Sequence, residues 1–287
     1  MQSARGFEYG VRHIISPQSG LLCDVLLSNL DVDLPQLEFL LHMGSIYHKG
    51  VRVNKNFLIE EGDYLRVHTK PRRFLPDDGK WRSRLAFENE HFLVIKKIAG
   101  LPVHASVDNI RENVQAYVEA AVGYPVFLTS RLDVPTRGLL VYAKTEAFQS
   151  AFNKILIERA CEKIYRAQVH GKNIPKGLMT HYMEPSPRAP KTVSSEPHEG
   201  WQECQLEILG SRYWEEGEGT GITEARIRLI TGRTHQIRAQ LSAAGFPIVG
   251  DVAYGAPREW VEDRIELEAV ELSFTNPLTG EHHQIVI

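Results

Sequence analysis

Asp133 carries a carboxylate that could take part in catalysis. It lies in the segment 130–145, which reads SRLDVPTRGLLVYAKT. It follows Arg131 and precedes a turn at Gly138, which leads into the apolar run 139–142. Such a run is typical of a buried strand, and glycine and proline are typical of the loop that feeds it. A carboxylate in that loop can act as a base or a nucleophile, or it can cap backbone N–H groups of the turn.

A second segment, 229–241, reads LITGRTHQIRAQL and runs from a strand pattern through a glycine turn to a helix pattern. The two segments together resemble the RluA-type branch of the pseudouridine synthases, whose patterns are approximately H-R-L-D-x-x-T-S-G-L-L and G-R-x-H-Q-I-R. The first pattern is matched by Arg131, Leu132, Asp133, Thr136, Gly138, Leu139 and Leu140. The second is matched by Gly232, Arg233, His235, Gln236, Ile237 and Arg238.

Two more segments strengthen the resemblance. Residues 163–171 match the K-x-Y-x-A-x-V-x-G strand of the family, and residues 247–255 (PIVGDVAYG) resemble its P-I-x-G-D-x-x-Y-G. Two positions depart from the family, since Ser130 stands where the pattern has His and Arg137 where it has Ser. Four segments in the family's order are far more specific than one segment alone, so chance agreement does not compete as an explanation.

The resemblance implies an enzyme that isomerises specific uridines in structured RNA, ribosomal or transfer RNA, to pseudouridine. By that resemblance the C1′–N1 bond of the uridine breaks, and the base rotates and is rejoined through C5 without a cofactor or a metal. Asp133 takes the position of the catalytic carboxylate. Whether it attacks C1′, attacks the base or removes a ribose proton stays open at the level of the sequence.

Two further residues complete the predicted catalytic group. An ionised Asp133 in a water-poor cleft needs an opposite charge. The resemblance places Arg233 beside it, where a planar guanidinium matches a carboxylate; the alternative is an Arg233 exposed in a turn. Tyr165 matches the tyrosine that packs against the target base and can handle a proton. Without the resemblance, a tyrosine on the apolar face of a strand is usually a core residue.

Basic residues outside this group are candidates for RNA binding. Arg131 matches the arginine that enters the RNA stack when the uridine leaves it, although a phosphate contact or a surface ion pair would also explain it. Arg137 would add a phosphate contact. The stretch 70–84 (KPRRFLPDDGKWRSR) is either a solvated linker or a phosphate-binding surface. Its candidates for RNA binding are Arg72, Arg73, Lys80 and Arg82.

The remaining motif residues are expected to shape the site rather than to react. They are Thr136, Gly138, His235, Gln236 and Arg238. His235 and Gln236 open a helix pattern after a glycine turn. For His235 we therefore expect a shaping role rather than proton transfer, and a satisfied structural histidine is the alternative.

The chain is expected to comprise three parts: an S4-like RNA-binding domain (1–69), a basic linker (70–84) and the catalytic domain (85–287). In the first part, residues 35–43 predict a helix, because Pro35 suits a first turn and Gly44 suits a helix end. The basic positions usual on the S4 helix are replaced by Leu37, Glu38 and Phe39. An RNA-contacting role and a purely structural role of this part both remain open.

The patterns of the larger domain predict more strands than helices without a regular βαβ alternation, which is typical of an α+β architecture. The predicted elements are a strand at 86–97, a helix at 110–122, a helix capped by Thr145, a strand at 163–169, an insertion with short strands at 181–214 and a strand at 225–229. The resemblance adds a mixed, largely antiparallel sheet with flanking helices and a central cleft.

Composition limits the class of protein. A chain of 287 residues with 43% hydrophobic content can bury a full core, and its net charge of −3 means that RNA contact must depend on local basic clusters. No apolar run approaches the roughly 18 residues of a membrane helix, and the first residues lack the apolar core of a secretory signal, so we expect a cytoplasmic protein. The three scattered cysteines predict reduced, mostly buried thiols. The resemblance implies a monomer.

Two other functions compete with an RNA isomerase. A noncatalytic RNA-binding protein would retain the fold, but it must explain why Asp133, Tyr165 and Arg233 are all present. A base- or sugar-cleaving hydrolase would use Asp133, but retaining glycosidases usually need a second, paired carboxylate. No motif in the sequence supplies that second carboxylate.

Overall fold

The computed structural model describes residues 10–216, 220–258 and 264–287. Contacts group the chain into two compact units: Met1–Asp77 with His104–Tyr117, and Asp78–Val103 with Val118–Ile287. The first unit thus extends past the boundary predicted at residue 69. It also takes in a segment that the sequence pattern assigns to the catalytic domain.

Among its described residues, the first unit contains six short strands and two helices. The strands are β1 (Val11–Ile15), β2 (Gly20–Leu21), β3 (Ile46–His48), β4 (Val51–Val53), β5 (Leu58–Ile59) and β6 (Tyr64–His68). The helices are α1 (Leu22–Asn29) and α2 (Leu34–Met43). Four strands form an antiparallel sheet in the order β1-β6-β3-β4, and β2 pairs with β5. The sheet and both helices share one apolar core.

Helix α2 begins and ends with clear local signals. The Asp33 carboxylate accepts a hydrogen bond from the Gln36 backbone N–H at 2.8 Å, and the Gln36 side chain accepts one from the Asp33 N–H at 3.1 Å. These reciprocal bonds satisfy N–H groups that a helix start leaves unpaired. The helix stops at Gly44, whose left-handed φ of 67° suits glycine. The predicted helix 35–43 is confirmed to within one residue.

The second unit contains the large sheet. Its strands are β7 (Leu85–Glu88), β8 (Phe92–Lys97), β9 (Phe127–Leu128), β10 (Arg137–Ala143), β11 (Cys161–His170), β12 (Gly177–Met183), β13 (Val193–Ser194), β14 (Gln202–Glu216), β15 (Thr220–Leu229), β16 (Leu267–Thr275) and β17 (His282–Val286). The other helices in the described ranges are α3 (Val114–Val122), α4 (Glu146–Ile157) and α5 (Gln236–Ala243). Short 3₁₀ turns lie at Trp81–Arg84 and Val252–Tyr254.

Eleven of the described strands form this sheet, in the order β13-β12-β14-β15-β11-β16-β10-β8-β7, with β17 on β16 and β9 on β10. The pairing of β10 with β16 is parallel, and the other pairings of the sheet are antiparallel. The predicted α+β class with a largely antiparallel sheet is therefore confirmed. None of the helices in the described part of the chain has the length and apolar character that a membrane crossing requires.

Apolar clusters cover the sheet of the second unit. One includes Tyr165, Ala167 and Val169 of β11 with Ile237 and Leu241 of α5. Another includes Phe148 and Phe152 of α4. The alternation predicted for 163–169 is confirmed, because Tyr165, Ala167 and Val169 are buried whereas Arg166 is exposed. All three cysteines are free and buried, as predicted.

The single strand predicted at 86–97 is in fact a hairpin of β7 and β8. The turn between them is fixed by Asn89, whose side-chain oxygen accepts hydrogen bonds from the N–H groups of His91 and Phe92, both at 2.9 Å. Such a side chain competes with the sheet for backbone partners and reverses the chain.

Two other predicted elements need correction. The helix expected at 110–122 begins at Val114, because the Asn113 side chain accepts a hydrogen bond from the Ala116 N–H at 3.0 Å and acts as its cap. The insertion expected to hold only short strands, 181–214, contains most of β14, a strand of 15 residues paired with β15. Cross-strand pairing along β15 stabilises this length despite a composition that suggests loops.

Candidate active site

The loop between β9 and β10 carries Asp133, and a buried lysine holds its backbone. Lys97, at the end of β8, is only 2% exposed. Its Nζ lies 3.2, 3.0 and 2.8 Å from the carbonyl oxygens of Asp133, Val134 and Thr136 and 3.0 Å from that of Ile98, so its three N–H groups at most are shared among four acceptors. Burial lowers the pKa of Lys97 to about 7. The lysine thus supplies hydrogen bonds that the loop cannot obtain from a sheet.

Gly138 fixes where this loop joins the sheet. It pairs with Ala269 in the parallel contact of β10 with β16, and its φ is +111°. A Cβ atom at this position would lie 2.3 Å from the Ala269 oxygen and 2.5 Å from the Ala269 nitrogen. Only glycine allows this approach, which explains the glycine of the first motif.

The Asp133 carboxylate is paired with Arg238, the last residue of the second motif. Arg238 is 6% exposed, and its Nη1 lies 3.3 Å from Asp133 Oδ2. Its Nε and Nη2 donate to both oxygens of Asp251 at 2.7 and 2.9 Å. Burial acts to lower the pKa of Arg238, but the hydrogen bonds and charge of Asp251, with the charge of Asp133, raise it. A permanently charged arginine therefore links two carboxylates.

The expected pair of Asp133 with Arg233 was wrong. Within the residues that the structure describes, no ion pair joins these two side chains, and Arg233 is exposed in the turn before α5. Arg238 lies two residues into α5, on a turn that is buried throughout, and its side chain reaches Asp133. The second motif therefore does supply the arginine partner of Asp133, but that partner is Arg238 and not Arg233.

Tyr165 lies on β11 and is 7% exposed. Burial, with the charge of Asp133 as a smaller cause, raises the pKa of Tyr165, so its phenol keeps its proton near neutral pH. It lines a cavity of about 20 Å³ together with Arg131 and Lys163, which is room for about one water molecule. Tyr165 is therefore suited to donate a hydrogen bond or to pack against a base, and poorly suited to remove a proton.

His235 lies immediately before α5 in the left-handed conformation, with φ 58° and ψ 21°. Its Nδ1 is 2.9 Å from the Tyr254 hydroxyl, and its Nε2 is 3.9 Å from Asp133 Oδ1. The Tyr254 ring also lies 4.7 Å from the Arg238 guanidinium, at the distance of a cation–π contact. Burial lowers the pKa of His235, so the ring is neutral near pH 7.

Gln236 fixes the turn that precedes α5. Its side-chain oxygen accepts hydrogen bonds from the Thr231 hydroxyl at 2.8 Å and from the Arg233 backbone N–H at 3.0 Å. Its amide nitrogen donates to the Gln205 carbonyl at 3.0 Å and to the Gln240 side chain at 2.9 Å.

Thr136, another residue expected to shape the site, is buried in the loop of Asp133. Its hydroxyl has no hydrogen-bond partner among the described residues.

Three residues of the site were missed at the level of the sequence: Lys97, Asp251 and Tyr254. Asp251 and Tyr254 both lie in the fourth motif, PIVGDVAYG, so a reading of each polar residue in that motif would have found them. Lys97 lies at the end of an apolar strand. Lysines are rarely buried, so a lysine in such a run is the feature of the sequence that could have indicated a special role.

Thiols and metal-binding clusters are two other kinds of reactive group that the described part of the chain could hold. Burial raises the pKa of both Cys161 and Cys204 to about 11, so neither is a thiolate near neutral pH. In the described ranges, no group of three or more His, Cys, Asp or Glu side chains is arranged to hold a metal ion.

The predicted RNA-binding arginines of the first motif differ in environment. Arg131 is exposed beside the Tyr165 cavity. Arg137 is instead engaged within the protein, because its Nη2 lies 2.8 Å from Glu266 and its Nε 3.5 Å from Glu268. A phosphate contact by Arg137 would have to compete with these carboxylates.

In the first unit, two of the predicted RNA-binding arginines are ion-paired. Arg72 Nη2 lies 3.1 Å from Asp108, and Arg73 Nη2 lies 2.5 Å from Glu112. Burial acts to raise the pKa of Asp108, but hydrogen bonds from the Arg72 side chain and backbone outweigh it and lower the pKa to about 2. These arginines join the stretch 70–77 to the segment 104–117 through ion pairs.

In the second unit, the last two candidates for RNA binding in the stretch 70–84 are exposed: Lys80 and Arg82.

Comparison with known proteins identifies the family of this chain. A family model described as RNA pseudouridylate synthase matches residues 91–243, which include Lys97, Asp133, Tyr165 and Arg238. The chain belongs to that family. The matched region contains the loop of Asp133, strand β11 and helix α5, so the family resemblance and the geometry concern the same part of the second unit.

Relatives with assigned names include RNA pseudouridine synthase 6, chloroplastic, from Oryza sativa subsp. japonica, 36% identical over 69% of this chain. The chain spans 46% of that relative's length. Dual-specificity RNA pseudouridine synthase RluA from Vibrio vulnificus is 29% identical over 71% of this chain and 82% of its own. A solved human structure, RNA Pseudouridylate Synthase Domain Containing 1, covers 71% of this chain and 82% of its own with a TM-score of 0.57 and 22% identity, which supports the fold.

Proposed function

We propose that this protein is an RNA pseudouridine synthase that isomerises uridines of structured RNA, with Asp133 as its catalytic carboxylate. The observation that carries the proposal is the buried Arg238 that holds Asp133 beside Tyr165, in the part of the chain that matches the family. Asp133 keeps an exposed fraction of 21% at its side chain, so the carboxylate remains accessible to a substrate.

The chain's own groups suit each requirement of the reaction. Arg238 balances the charge of Asp133 without a proton, so the carboxylate is available as a nucleophile or base. Tyr165 keeps its phenol proton and offers an aromatic face to the extruded base. Arg131 is exposed beside this cavity and is proposed to fill the RNA stack when the uridine leaves it.

The RNA partner is proposed to be ribosomal or transfer RNA, which agrees with the names of two relatives, Ribosomal large subunit pseudouridine synthase C from Buchnera aphidicola and tRNA pseudouridine synthase C from Vibrio parahaemolyticus. We retain the S4-like character of residues 1–69, phosphate contacts by Lys80 and Arg82, a monomeric state and a cytoplasmic location as parts of the proposal. Arg233 was expected in the catalytic group, but it is exposed before α5, so we now propose it as an RNA-binding candidate. Its role would then be contact with substrate rather than pairing with Asp133.

One assay tests the reaction. RNA carrying 5-tritiated uridine is incubated with wild type and with Asp133→Asn, which keeps the side-chain volume. Because pseudouridine formation replaces the C5 hydrogen, wild type is expected to release tritium, and the variant to lose this activity by roughly 10²–10⁴-fold or more. Circular dichroism of the variant serves as the folding control.

The other two candidate functions give different results in the same assay. A noncatalytic RNA-binding protein would bind the RNA and release no tritium from any variant. A hydrolase would produce free base or broken strands. Release of tritium at equal rates by wild type and Asp133→Asn would contradict the assignment of Asp133.

A further inference from the structure

Two successive hydrogen bonds connect the backbone of Lys191, through the Tyr254 hydroxyl, to the ring of His235. The Lys191 backbone N–H donates to the Tyr254 hydroxyl at 2.7 Å, and this hydroxyl lies 2.9 Å from His235 Nδ1. Tyr254 is 6% exposed. Among the described residues, no third group lies within hydrogen-bonding distance of its hydroxyl.

These contacts favour one arrangement of the protons. A backbone N–H can only donate, so the Tyr254 oxygen accepts from Lys191. The hydroxyl proton is then available for His235, and the direction that satisfies both groups is Tyr254 O–H donating to Nδ1. A neutral imidazole that accepts at Nδ1 carries its proton on Nε2. That nitrogen is the one that faces Asp133.

We propose that His235 is a positioning residue whose Nε2–H, fixed by the Lys191–Tyr254 hydrogen-bond chain, orients the Asp133 oxygen that Arg238 leaves free. The proposal rests on the proposed function. Arg238 Nη1 lies 3.3 Å from Oδ2, and His235 Nε2 lies 3.9 Å from Oδ1. Contacts of this kind are often long without substrate and shorten in the reacting complex. Two donors on separate oxygens then hold the carboxylate plane.

The backbone of His235 is a second, independent observation. A left-handed conformation is uncommon for a residue other than glycine, although histidine tolerates it better than most. It places the ring between Tyr254 and Asp133 instead of in the first turn of α5. Such local strain is typical of functional sites.

Five groups face the His235 ring and set its response to pH: Asp133, Arg238, Asp251, Lys191 and Tyr254. Burial of the ring and the positive charges favour its neutral form, while the two carboxylates oppose them. Protonation would turn Nδ1 from an acceptor into a donor, so Tyr254 could no longer donate to it. We therefore expect this hydrogen bond to reverse when the pH falls below the ordinary histidine range, with Nδ1–H donating to the Tyr254 oxygen and the hydroxyl proton losing His235 as its acceptor.

The tautomer is measured first, without RNA. Protein labelled with ¹⁵N-histidine is examined by long-range ¹H–¹⁵N NMR, and the His235 signals are assigned as those absent from His235→Gln. Wild type is expected to carry the proton on Nε2, and Tyr254→Phe to contain both neutral tautomers. A wild-type proton on Nδ1 would overturn the proposal, and so would an unchanged tautomer in Tyr254→Phe. This result is independent of whether the protein modifies RNA.

Substitutions of His235 then distinguish two roles of this residue: orienting the Asp133 carboxylate and holding the left-handed backbone conformation. Asn accepts the left-handed conformation but is too short to span from Tyr254 to Asp133, so His235→Asn is expected to lower kcat roughly 10- to 100-fold with little change in KM. Gln can accept with its oxygen and donate with its nitrogen, so His235→Gln is expected to keep kcat within about tenfold of wild type. Its kcat should also fall at a lower pH than that of wild type, because Gln does not titrate.

His282→Gln, an exposed substitution of the same type on β17, is the matched control and should behave as wild type. Full activity of His235→Asn would mean that only the backbone conformation matters, and would contradict the proposal. An inactive wild type with the expected tautomer would instead contradict the proposed function. Thermal unfolding of each variant identifies any loss that comes from misfolding.

Discussion

At the scale of single residues, burial separates two arginines that the motif presents as equals. Arg233 and Arg238 both lie in GRTHQIR, but Arg233 is exposed and Arg238 is 6% exposed between Asp133 and Asp251. Removing one partner of a buried charge network leaves the other charges uncompensated, whereas an exposed charge is solvated by water. The two positions are therefore expected to respond very differently to the same substitution.

Arg238→Ala is expected to lower the free energy of unfolding by about 3–5 kcal/mol, because Asp251 would remain buried without its cation. Arg233→Ala is the matched control and is expected to stay within about 0.5 kcal/mol of wild type. Urea unfolding followed by circular dichroism measures both. Equal stability of the two variants would show that the ion pairs contribute nothing to the fold.

Lys97 gives a pH-dependent prediction. Its pKa is lowered to about 7 in the folded protein, against about 10.4 when unfolded. Between these values the unfolded chain binds more protons, so this residue makes stability rise with pH from about 7 to 10, by up to ~1.4 kcal/mol per pH unit.

Lys97→Met should remove that part of the slope and also lower stability by about 1–3 kcal/mol near pH 9, because the carbonyls of the Asp133 loop lose their donor. Lys96→Met, on the exposed side of the same strand, is the control. Unfolding measured from pH 6 to 10 tests both effects. Parallel pH curves for wild type and Lys97→Met would refute this account.

At the scale of elements, the site depends on one close backbone contact. The loop of Asp133 enters the sheet at Gly138, where β10 runs parallel to β16 and no Cβ atom fits beside Ala269. Helix α5 supplies Arg238 from a separate part of the chain, and the turn before it is held by Gln236. A shift of β10 would therefore move Asp133 away from Arg238.

Gly138→Ala is expected to lower the free energy of unfolding by roughly 2–4 kcal/mol, since it combines a positive φ with a clash against backbone atoms. Activity should fall more steeply than stability, because Asp133 moves with the strand. Gly210→Ala, in β14, is the control, since a Cβ atom there meets no atom within 4 Å. A Gly138→Ala protein with wild-type stability and turnover would contradict the role given to this contact.

At the scale of the whole molecule, the first unit is discontinuous in sequence. Residues 104–117 belong to it because Asp108 and Glu112 bind Arg72 and Arg73. Part of the basic stretch thus has a structural role, because its ion pairs join it to residues 104–117 within that unit. A truncation to the predicted catalytic domain, 85–287, would leave two largely buried carboxylates without their cations.

Deletion of residues 1–77 is expected to expose the segment 104–117. Limited trypsin digestion should then cut after Arg111 much faster than in the full chain, where its Nε donates to the His42 carbonyl at 3.0 Å. Mass spectrometry of the fragments identifies the site. Cleavage at the same rate in both proteins would mean that residues 104–117 hold their structure without the first 77 residues.

The sequence alone determined the family, the α+β class, helix α2 and the identity of Asp133 and Tyr165 as the candidate chemical groups. These follow from residues close together in the chain, where spacing, caps and glycine turns act locally. Only the tertiary structure decided which arginine reaches Asp133, which carboxylates engage Arg72, Arg73 and Arg137, and how long β14 is. Asp133 and Arg238 are 105 positions apart, and the contact between them depends on how the sheet and α5 pack, which no local pattern encodes.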